Sequence, residues 1–167
     1  ALAEWMDVPV IQVAALQDDD EVVSSSRIRM ALMDGRVAEC SRWLARPHVV
    51  HGRVEHGHQR GRTLGIRTAN LTDLRGLLPG AGVYAVQVTL ADGTVADGVA
   101  NIGDRPTFPG AGSSVEVHLL DTDTDVYDTD LTVAWIERLR DERRFDGPDA
   151  LIAQIHEDIA HARRVLA

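Results

Sequence analysis

Short stretches in which apolar and polar residues alternate are the feature that most constrains how this chain can fold. Valines and a glycine alternate with polar residues over residues 48–54, and Ala91-Asp92-Gly93 has the composition of a hairpin turn. Alternation of period two is typical of a strand with one buried face. Short strand-like stretches recur with no helical period between them, at residues 84–90, 95–103, 114–121 and 131–140. The pattern therefore predicts a mainly β fold, either a closed antiparallel barrel or a sandwich.

A helix is predicted to follow the last strand. Gly147-Pro148 interrupts the alternation and places a proline where the first turn of a helix tolerates it. Asp149 near the start of this segment, and Arg163 and Arg164 near its end, are favourable to the helix dipole. Apolar residues recur at helical spacing, namely Leu151, Ile152, Ile155, Ile159, Ala162 and Leu166. We expect this apolar face to cover one side of the β structure.

The first 46 residues follow a different pattern. The apolar run at residues 8–16 predicts a buried strand, and the acidic residues at 18–21 predict a solvated loop. A helix is then expected to begin with Ser25 or Ser26 as its cap, and to break at Asp34-Gly35.

A second short helix is expected over residues 36–45, because Pro47 cannot continue it. Its apolar face is predicted to consist of Val37, Cys40 and Leu44. Together these elements predict a helical hairpin in front of the β structure.

Composition excludes several classes of function. The net charge is −9 and all 17 basic residues are arginines, which argues against the broad basic face that nucleic acid or an anionic membrane requires. No apolar run approaches the length of a membrane span, and no signal peptide is expected. Cys40 is the single cysteine, which excludes an internal disulfide and fits a reducing, cytoplasmic compartment. Arginines cluster at 60–62 and 138–144, so an anionic small ligand remains compatible with the charge.

Residues 57–71 have the composition of a phosphate-binding loop. Its glycines let the backbone approach a ligand closely, and its arginines offer fixed positive charge. Thr68 and Asn70 offer neutral oxygens, which suit a Mg²⁺ ion that retains several water ligands and is also coordinated by substrate phosphates. The P-loop signature is absent because the chain has no lysine, and a tight turn without a ligand fits the composition as well.

The segment R-G-R-T-L-G-I-R-T-A-N-L at residues 60–71 resembles the signature of riboflavin kinases, R-G-R-x-L-G-[FYI]-P-T-A-N. Further pieces resemble the family in the same order, at residues 101–108, 115–121 and 139–146. The resemblance covers residues 47–166 and is to the kinase module of bacterial bifunctional FAD synthetases. One departure is Arg67, which stands where the family has proline.

The resemblance implies a small antiparallel Greek-key β-barrel with a C-terminal helix. Residues 1–46 are similar to the tail of the α/β adenylyltransferase module of the same enzymes, with S-S-S-R-I-R at 24–29, and residues 47–167 are expected to form the kinase-like barrel. Residues 1–46 do not contain the H-x-G-H motif of a nucleotidyltransferase, so the 167 residues are expected to make FMN but not FAD.

The resemblance also implies a site for ATP and metal. Thr68 and Asn70 match the pair that binds Mg²⁺ in the family, and the backbone of the loop at 57–65 is implied to cradle the ATP phosphates. Asn101 and Arg105 match residues on the nucleotide side. The loop residues implied to bind ATP, in addition to Thr68, Asn70 and Asn101, are Gly57, Arg60, Gly61, Arg62 and Gly65.

The family resemblance changes the interpretation of Glu116. In V-E-V-H-L, Glu116 and His118 alternate with Val115 and Val117, which on pattern alone is typical of ordinary surface. The matching glutamate in the family is the catalytic base, which implies that Glu116 takes the proton from the 5′-hydroxyl of the riboflavin ribityl chain as the γ-phosphoryl group arrives. His118 is interpreted as a packing or hydrogen-bonding neighbour.

A flavin pocket is implied by the segment before the last helix. Arg140, Arg143 and Phe145 match the family segment that forms part of this pocket, and a ring or a guanidinium plane can stack on a flavin. With Glu116, these are the residues implied to bind the flavin. From the residues alone, Phe145 can equally anchor the start of the last helix.

Three hypotheses of function follow. The first is an enzyme that uses ATP and Mg²⁺ to phosphorylate riboflavin at the ribityl 5′-hydroxyl, giving FMN and ADP. The second is a degenerate flavin- or nucleotide-binding module without turnover, in which Arg67 is the lesion. The third is a structural barrel that docks an adenylyltransferase module or associates with itself.

Overall fold

The computed structural model describes residues 11, 13–55, 67–104, 113–122 and 124–167. The elements in chain order are β1 (Gln17–Asp18), β2 (Glu21–Val22), α1 (Ser25–Met33), α2 (Val37–Leu44), β3 (His48–Glu55), β4 (Ala69–Arg75), β5 (Gly82–Thr89), β6 (Val95–Asp104), β7 (Ser113–Leu119), β8 (Asp130–Arg140) and α3 (Pro148–Leu166).

Strands β3 to β8 close into a single barrel in the order β3-β4-β7-β6-β5-β8, with every pair antiparallel. Strand β4 lies beside β7 instead of its sequence neighbour β5, which is a Greek-key connection. The predicted mainly β barrel is confirmed, and the sandwich alternative is wrong because β3 pairs with β8 and closes the sheet. The hairpin turn predicted at 91–93 joins β5 to β6, and Gly93 there has a φ of 87°.

The barrel interior contains the apolar half of each alternating stretch. Val50, Gly52 and Val54 of β3 point inward, as their alternation predicts. The Trp135 and Tyr84 rings meet edge to face with centroids 5.2 Å apart, a favourable aromatic geometry. Strand β5 is buried on both faces over its first half, because α3 packs on the outside of β5, β6 and β8.

The two short helices share one apolar core with the barrel. Leu32 of α1 and Trp43 of α2 belong to the same buried cluster as Trp135 of β8. A backbone hydrogen bond joins the parts as well, since Gly80 N–H donates to the Leu32 carbonyl at 2.9 Å, and the Tyr84 hydroxyl holds Gly80 by donating to its carbonyl at 2.5 Å. The division of the chain near residue 46 stays a prediction.

Two predictions for the N-terminal residues need correction. Ile11 and Val13 are each 86% exposed, and residues 11 and 13–16 form no strand, while residues 8–10 and 12 of the predicted strand lie outside the described residues. The acidic segment is solvent-exposed at Asp19 and Asp20, as predicted, but Asp18 and Glu21 pair in a hairpin of β1 and β2 instead of continuing the loop. Asp19 and Asp20 adopt φ values of 51° and 62°, the left-handed conformation that a two-residue hairpin turn requires.

The helix boundaries agree with the sequence to within a residue or two. Ser24, not Ser25 or Ser26, caps α1, since its Oγ accepts a hydrogen bond from Arg27 N at 3.2 Å. The buried face of α2 contains Trp43 where Leu44 was expected. The Trp43 indole donates to Asp18 Oδ2 at 2.7 Å, which fastens the β1–β2 hairpin to the helices.

Helix α3 begins at Pro148, as predicted. Its buried face includes two polar residues, Gln154 and Asp158, that the apolar stripe did not indicate. None of the helices within the described residues combines the length and hydropathy needed to cross a membrane.

Candidate functional site

Glu116 lies at the centre of a row of polar residues on the outside of the barrel. Its Cα partner on β4 is Asn70, and its partner on β6 is Asn101. Residues directly opposite in an antiparallel sheet present their side chains on the same face. Val115 and Val117 point into the core, so the alternation leaves the half-buried Glu116 on the outer face. Three residues that are distant in sequence are thereby brought side by side.

The row continues around the barrel towards the last helix. Asn101 is paired with Val83 of β5, and Val83 is paired with Arg140 of β8. Adjacent strands are about 4.8 Å apart, so the line from Asn70 to Arg140 spans roughly 19 Å along the curved sheet. The sheet therefore aligns the predicted metal residue, the predicted base and the predicted flavin segment.

A cleft of about 380 Å³ lies over this row. It brings together most of the predicted site residues that the structure describes; Asn70 adjoins it through its pairing with Glu116. Its lining is Thr68, Val83, Val99, Asn101, Glu116, His118, Arg140, Glu142, Arg143, Phe145, Leu151, Ile155 and Asp158. Thr68 and Glu116 lie at one end of the cleft, while the other end combines Phe145 and apolar side chains of α3 with charged groups that include Arg140 and Arg143.

The backbone just before Thr68 is held by His118. The His118 ring nitrogen Nδ1 lies 2.7 Å from the carbonyl oxygen of Arg67, a contact in which the ring N–H donates. His118 thus makes the hydrogen bond predicted for it. The contact fixes the chain at the residue where this sequence departs from the family signature.

A second cavity of about 250 Å³ lies on the other side of Thr68. It combines apolar side chains of β7 with polar side chains of the loop after β7. Its lining is Arg67, Thr68, Ala69, Val117, Leu119, Thr122, Thr124, Asp125, Val126 and Tyr127. Since Thr68 borders both spaces, two ligands bound in the two cavities would meet at this residue.

Arg140 and Arg143 make close contacts to α3. Arg140 Nε lies 2.9 Å and 3.1 Å from the two carboxylate oxygens of Asp158, and Arg140 Nη2 lies 2.8 Å from Oδ2. Arg143 Nη2 donates to Gln154 Oε1. The guanidinium carbons of Arg140 and Arg143 lie 5.7 Å and 4.8 Å from the centroid of the Phe145 ring, both within cation–π range.

Several residues of the site were not found from sequence. Asp158 and Gln154 were missed, although a carboxylate and an amide within the apolar stripe of α3 are a signal of a buried polar contact. Glu142 was missed because nothing in the local pattern separates it from a solvated loop residue.

Part of the predicted site lies outside the described residues. This applies to Gly57, Arg60, Gly61, Arg62 and Gly65 of the loop, and to Arg105. Their assignment to the ATP phosphates stays a prediction.

The donor set near Glu116 fits a hard cation that is shared with phosphates. Among the described residues there is no cluster of three or more His, Cys, Asp or Glu side chains able to hold a metal ion by itself. Thr68 and Asn70 instead offer neutral oxygens beside the carboxylate of Glu116. This is the sparse protein coordination that Mg²⁺ accepts when substrate phosphates and waters complete its shell.

The fold and the cleft define a closed β-barrel with a small-molecule cleft, with Glu116 at one end and the Phe145 ring between arginines at the other. The chain matches the family described as Flavokinase: Riboflavin kinase over residues 44–166. It therefore belongs to the riboflavin kinase family.

Curated relatives agree with this assignment. The bifunctional riboflavin kinase/FMN adenylyltransferase of Escherichia coli strain K12 is 43% identical over 141 residues, which is 84% of this chain and 45% of that protein. The protein of the same name from Bacillus subtilis strain 168 is 40% identical over 156 residues, 91% of this chain and 49% of that protein. The chain thus spans about half the length of the curated relatives it matches.

A solved structure has the same fold. It is named Crystal Structure of Macrolide-efflux Protein from Streptococcus pneumoniae, with a TM-score of 0.89 and 36% identity over 97% of this chain and 53% of that one. The likeness extends over nearly all of this chain, including the helices before the barrel. The efflux in that name describes the other protein.

Proposed function

We propose that this protein transfers the γ-phosphoryl group of ATP to the ribityl 5′-hydroxyl of riboflavin, with FMN and ADP as products. The observation that carries the proposal is the position of Glu116, which is paired with Asn70 on one side and Asn101 on the other, on the outer face beneath the cleft. A carboxylate that is half-buried among neutral oxygen and amide groups is suited to accept a proton from an alcohol.

The two cavities support a reaction between two ligands. Riboflavin is proposed to occupy the larger cleft, with its ring at the Phe145 end and its ribityl chain directed towards Glu116. ATP is proposed to lie on the opposite side of Thr68, in the cavity that Val117 and Tyr127 help to line. Phosphoryl transfer depends mainly on such positioning, and Thr68 lies where the two substrates would meet.

In the proposed reaction the 5′-oxygen of riboflavin forms a bond to the γ-phosphorus as the bond from that phosphorus to the bridging oxygen of ADP breaks. Glu116 accepts the proton of the hydroxyl, and ADP leaves with the electrons of the broken bond. General-base assistance of this kind contributes on the order of 10²–10⁴ in rate. Asn101 is proposed to orient the nucleotide side of the site from the strand next to Glu116.

Thr68 and Asn70 are proposed to hold Mg²⁺ together with the ATP phosphates. When bound, the ion neutralises charge that develops on the phosphoryl oxygens. The His118 contact to the Arg67 carbonyl supports this role, because it fixes the backbone leading into Thr68. The glycines and arginines at 57–65 are proposed to complete the phosphate site.

We propose that the chain acts as the kinase part of a bifunctional enzyme in the cytoplasm. Both curated relatives described above are named for a kinase and an adenylyltransferase activity, and this chain matches about half of each. The exposed Ile11 and Val13 and the helices α1 and α2 are the surface proposed to face the second module.

The test is formation of FMN. The purified chain is mixed with riboflavin, ATP and Mg²⁺, and the products are separated by chromatography with flavin fluorescence detection. The proposal predicts FMN and an equal amount of ADP. Quenching of riboflavin fluorescence without FMN would overturn it in favour of a binding module, and neither quenching nor FMN would favour a structural barrel.

A further inference from the structure

Helix α3 buries a carboxylate and an amide behind the aromatic end of the cleft. Asp158 is 5% exposed and Gln154 is 9% exposed. Within the residues that the structure describes, they are the two buried side chains that are polar or charged. Gln154 Nε2 donates to Asp158 Oδ1 at 2.9 Å, so the two side chains form one unit on consecutive turns of the helix. Their neighbours along the same face are apolar, which makes the burial of a charge costly unless it is compensated.

The compensation comes from the segment that lines the cleft. Arg140 donates hydrogen bonds from Nε and Nη2 to the Asp158 carboxylate. Its remaining nitrogen, Nη1, donates to the Asp141 carbonyl at 2.9 Å. All three nitrogens of Arg140 are therefore engaged with protein acceptors. The charge of this arginine is balanced by Asp158, and the wall it forms suits an uncharged ring better than a phosphate.

Phe145 is the point at which this network reaches the ligand space. Its ring lines the cleft and lies under the guanidinium groups of both Arg140 and Arg143, and Arg143 is itself held by Gln154. A chain of contacts thus runs from the buried face of α3, through two arginines, to one aromatic ring. Apolar residues at positions 154 and 158 could only pack against the segment that holds Phe145. The hydrogen bonds that the two arginines donate to Asp158 and Gln154 also fix the orientation of the Phe145 ring.

We infer that Asp158 and Gln154 are positioning residues that set the affinity of the cleft for the flavin ring and have no part in binding ATP. The inference rests on the proposed function for the identity of the ligand. Under it, Arg140 and Arg143 serve mainly to hold Phe145 and the segment from 140 to 145 in place. The phosphate-handling end of the site, at Thr68 and Glu116, lies at the other end of the row and is unaffected.

The experiment uses Asp158→Asn, which removes the charge but keeps the shape, and Gln154→Met, which removes the amide from a residue that does not line the cleft. Glu157→Gln is the matched control, because Glu157 is the adjacent carboxylate on the same helix and is exposed. For each variant, the dissociation constant of riboflavin is measured by fluorescence quenching, and the KM values for riboflavin and ATP are measured separately. Thermal unfolding of each variant shows that the folded protein is being compared.

We expect Asp158→Asn to weaken riboflavin binding and raise its KM by about tenfold, and Gln154→Met by about threefold, in line with the loss of hydrogen bonds to charged groups. The KM for ATP and all constants of Glu157→Gln should stay within twofold of the parent. Unchanged riboflavin affinity in a folded Gln154→Met would overturn the inference, as would an equal rise in both KM values. A parent that binds riboflavin without making FMN would contradict the proposed function but not this inference, because the quenching measurement does not require turnover.

Discussion

Asn70 and Glu116 face each other across the β4–β7 pair as Cα partners. Opposite residues in an antiparallel sheet have Cβ atoms roughly 4.5–5.5 Å apart, close enough for both side chains to contact one ligand. A residue from the glycine-rich segment and a residue from a separate strand are therefore neighbours at the site. This relationship joins the proposed metal position to the proposed base.

The metal role of Thr68 and Asn70 can be tested by a magnesium titration. Thr68→Ala and Asn70→Ala each remove one neutral oxygen, so the Mg²⁺ concentration needed for half-maximal FMN formation should rise by about tenfold or more. Thr72→Ala is the control, because Thr72 lies two residues after Asn70 on the same face of β4. Identical titrations for all three variants and the parent would exclude this pair as the metal site.

The alternating pattern predicted the barrel because it depends only on which side of each strand is buried. The inward positions of β3 are Val50, Gly52 and Val54, as their alternation predicts, and the hairpin at residues 91–93 follows from its turn composition. The strand order could not be predicted, since the pairing of β4 with β7 depends on contacts between distant segments. The apolar run before β1 was predicted to be a buried strand, but its described residues Ile11 and Val13 are exposed. Hydropathy alone does not show whether another segment covers an apolar run.

Arg67 allows a test of whether the departure from the family signature impairs the enzyme. Proline at this position would fix φ near −65° and stiffen the approach to Thr68, while its carbonyl would still accept the His118 hydrogen bond. We predict that the parent is active and that Arg67→Pro changes kcat/KM by less than about tenfold, equivalent to about 1.4 kcal/mol. An inactive parent that Arg67→Pro rescues would show that the chain is a degenerate kinase.

Gly80 is predicted to be essential for docking α1 on the barrel. A Cβ at this position would lie 2.1 Å from the Met33 carbonyl oxygen, so Gly80→Ala must displace backbone. Overpacking of this kind costs on the order of 1–3 kcal/mol, and the unfolding temperature should fall by roughly 2–4 °C for each kcal/mol. Gly147→Ala is the control, since a Cβ there has nothing within 4 Å. Equal unfolding temperatures for both variants would contradict the packing of α1 described here.

Cys40 should be protected from alkylation in the folded protein. Burial in the core between α1 and α2 raises the pKa of the thiol, and the reactive species is the thiolate. At pH 8 we expect iodoacetamide to modify the native chain at least about tenfold more slowly than the chain unfolded in urea. Comparable rates in the two states would show that α2 opens readily from the barrel.

The sequence indicated the polar end of the site better than the aromatic end. Thr68, Asn70, Asn101 and Glu116 are recognisable because their short motifs resemble the family. The sheet register brings Asn70, Glu116 and Asn101 together, and Thr68 lines the same cleft just before β4. The anchoring of Arg140 was missed: Asp158 within the apolar stripe of α3 signals a buried polar contact, but the sequence does not show which residue, here 18 positions away, is its partner.

The central claim is that Glu116 accepts the proton of the riboflavin hydroxyl, and the most direct test is the turnover of Glu116→Gln. The variant keeps the size of the side chain but removes the basic oxygen, so kcat for FMN formation should fall by roughly 10²–10⁴. Affinities for riboflavin and for ATP with Mg²⁺ should stay within a few-fold of the parent, and Glu137→Gln, at an exposed position of β8, should have parental activity. A Glu116→Gln enzyme that turns over within a few-fold of the parent would contradict the account, because another group would then have to accept the proton.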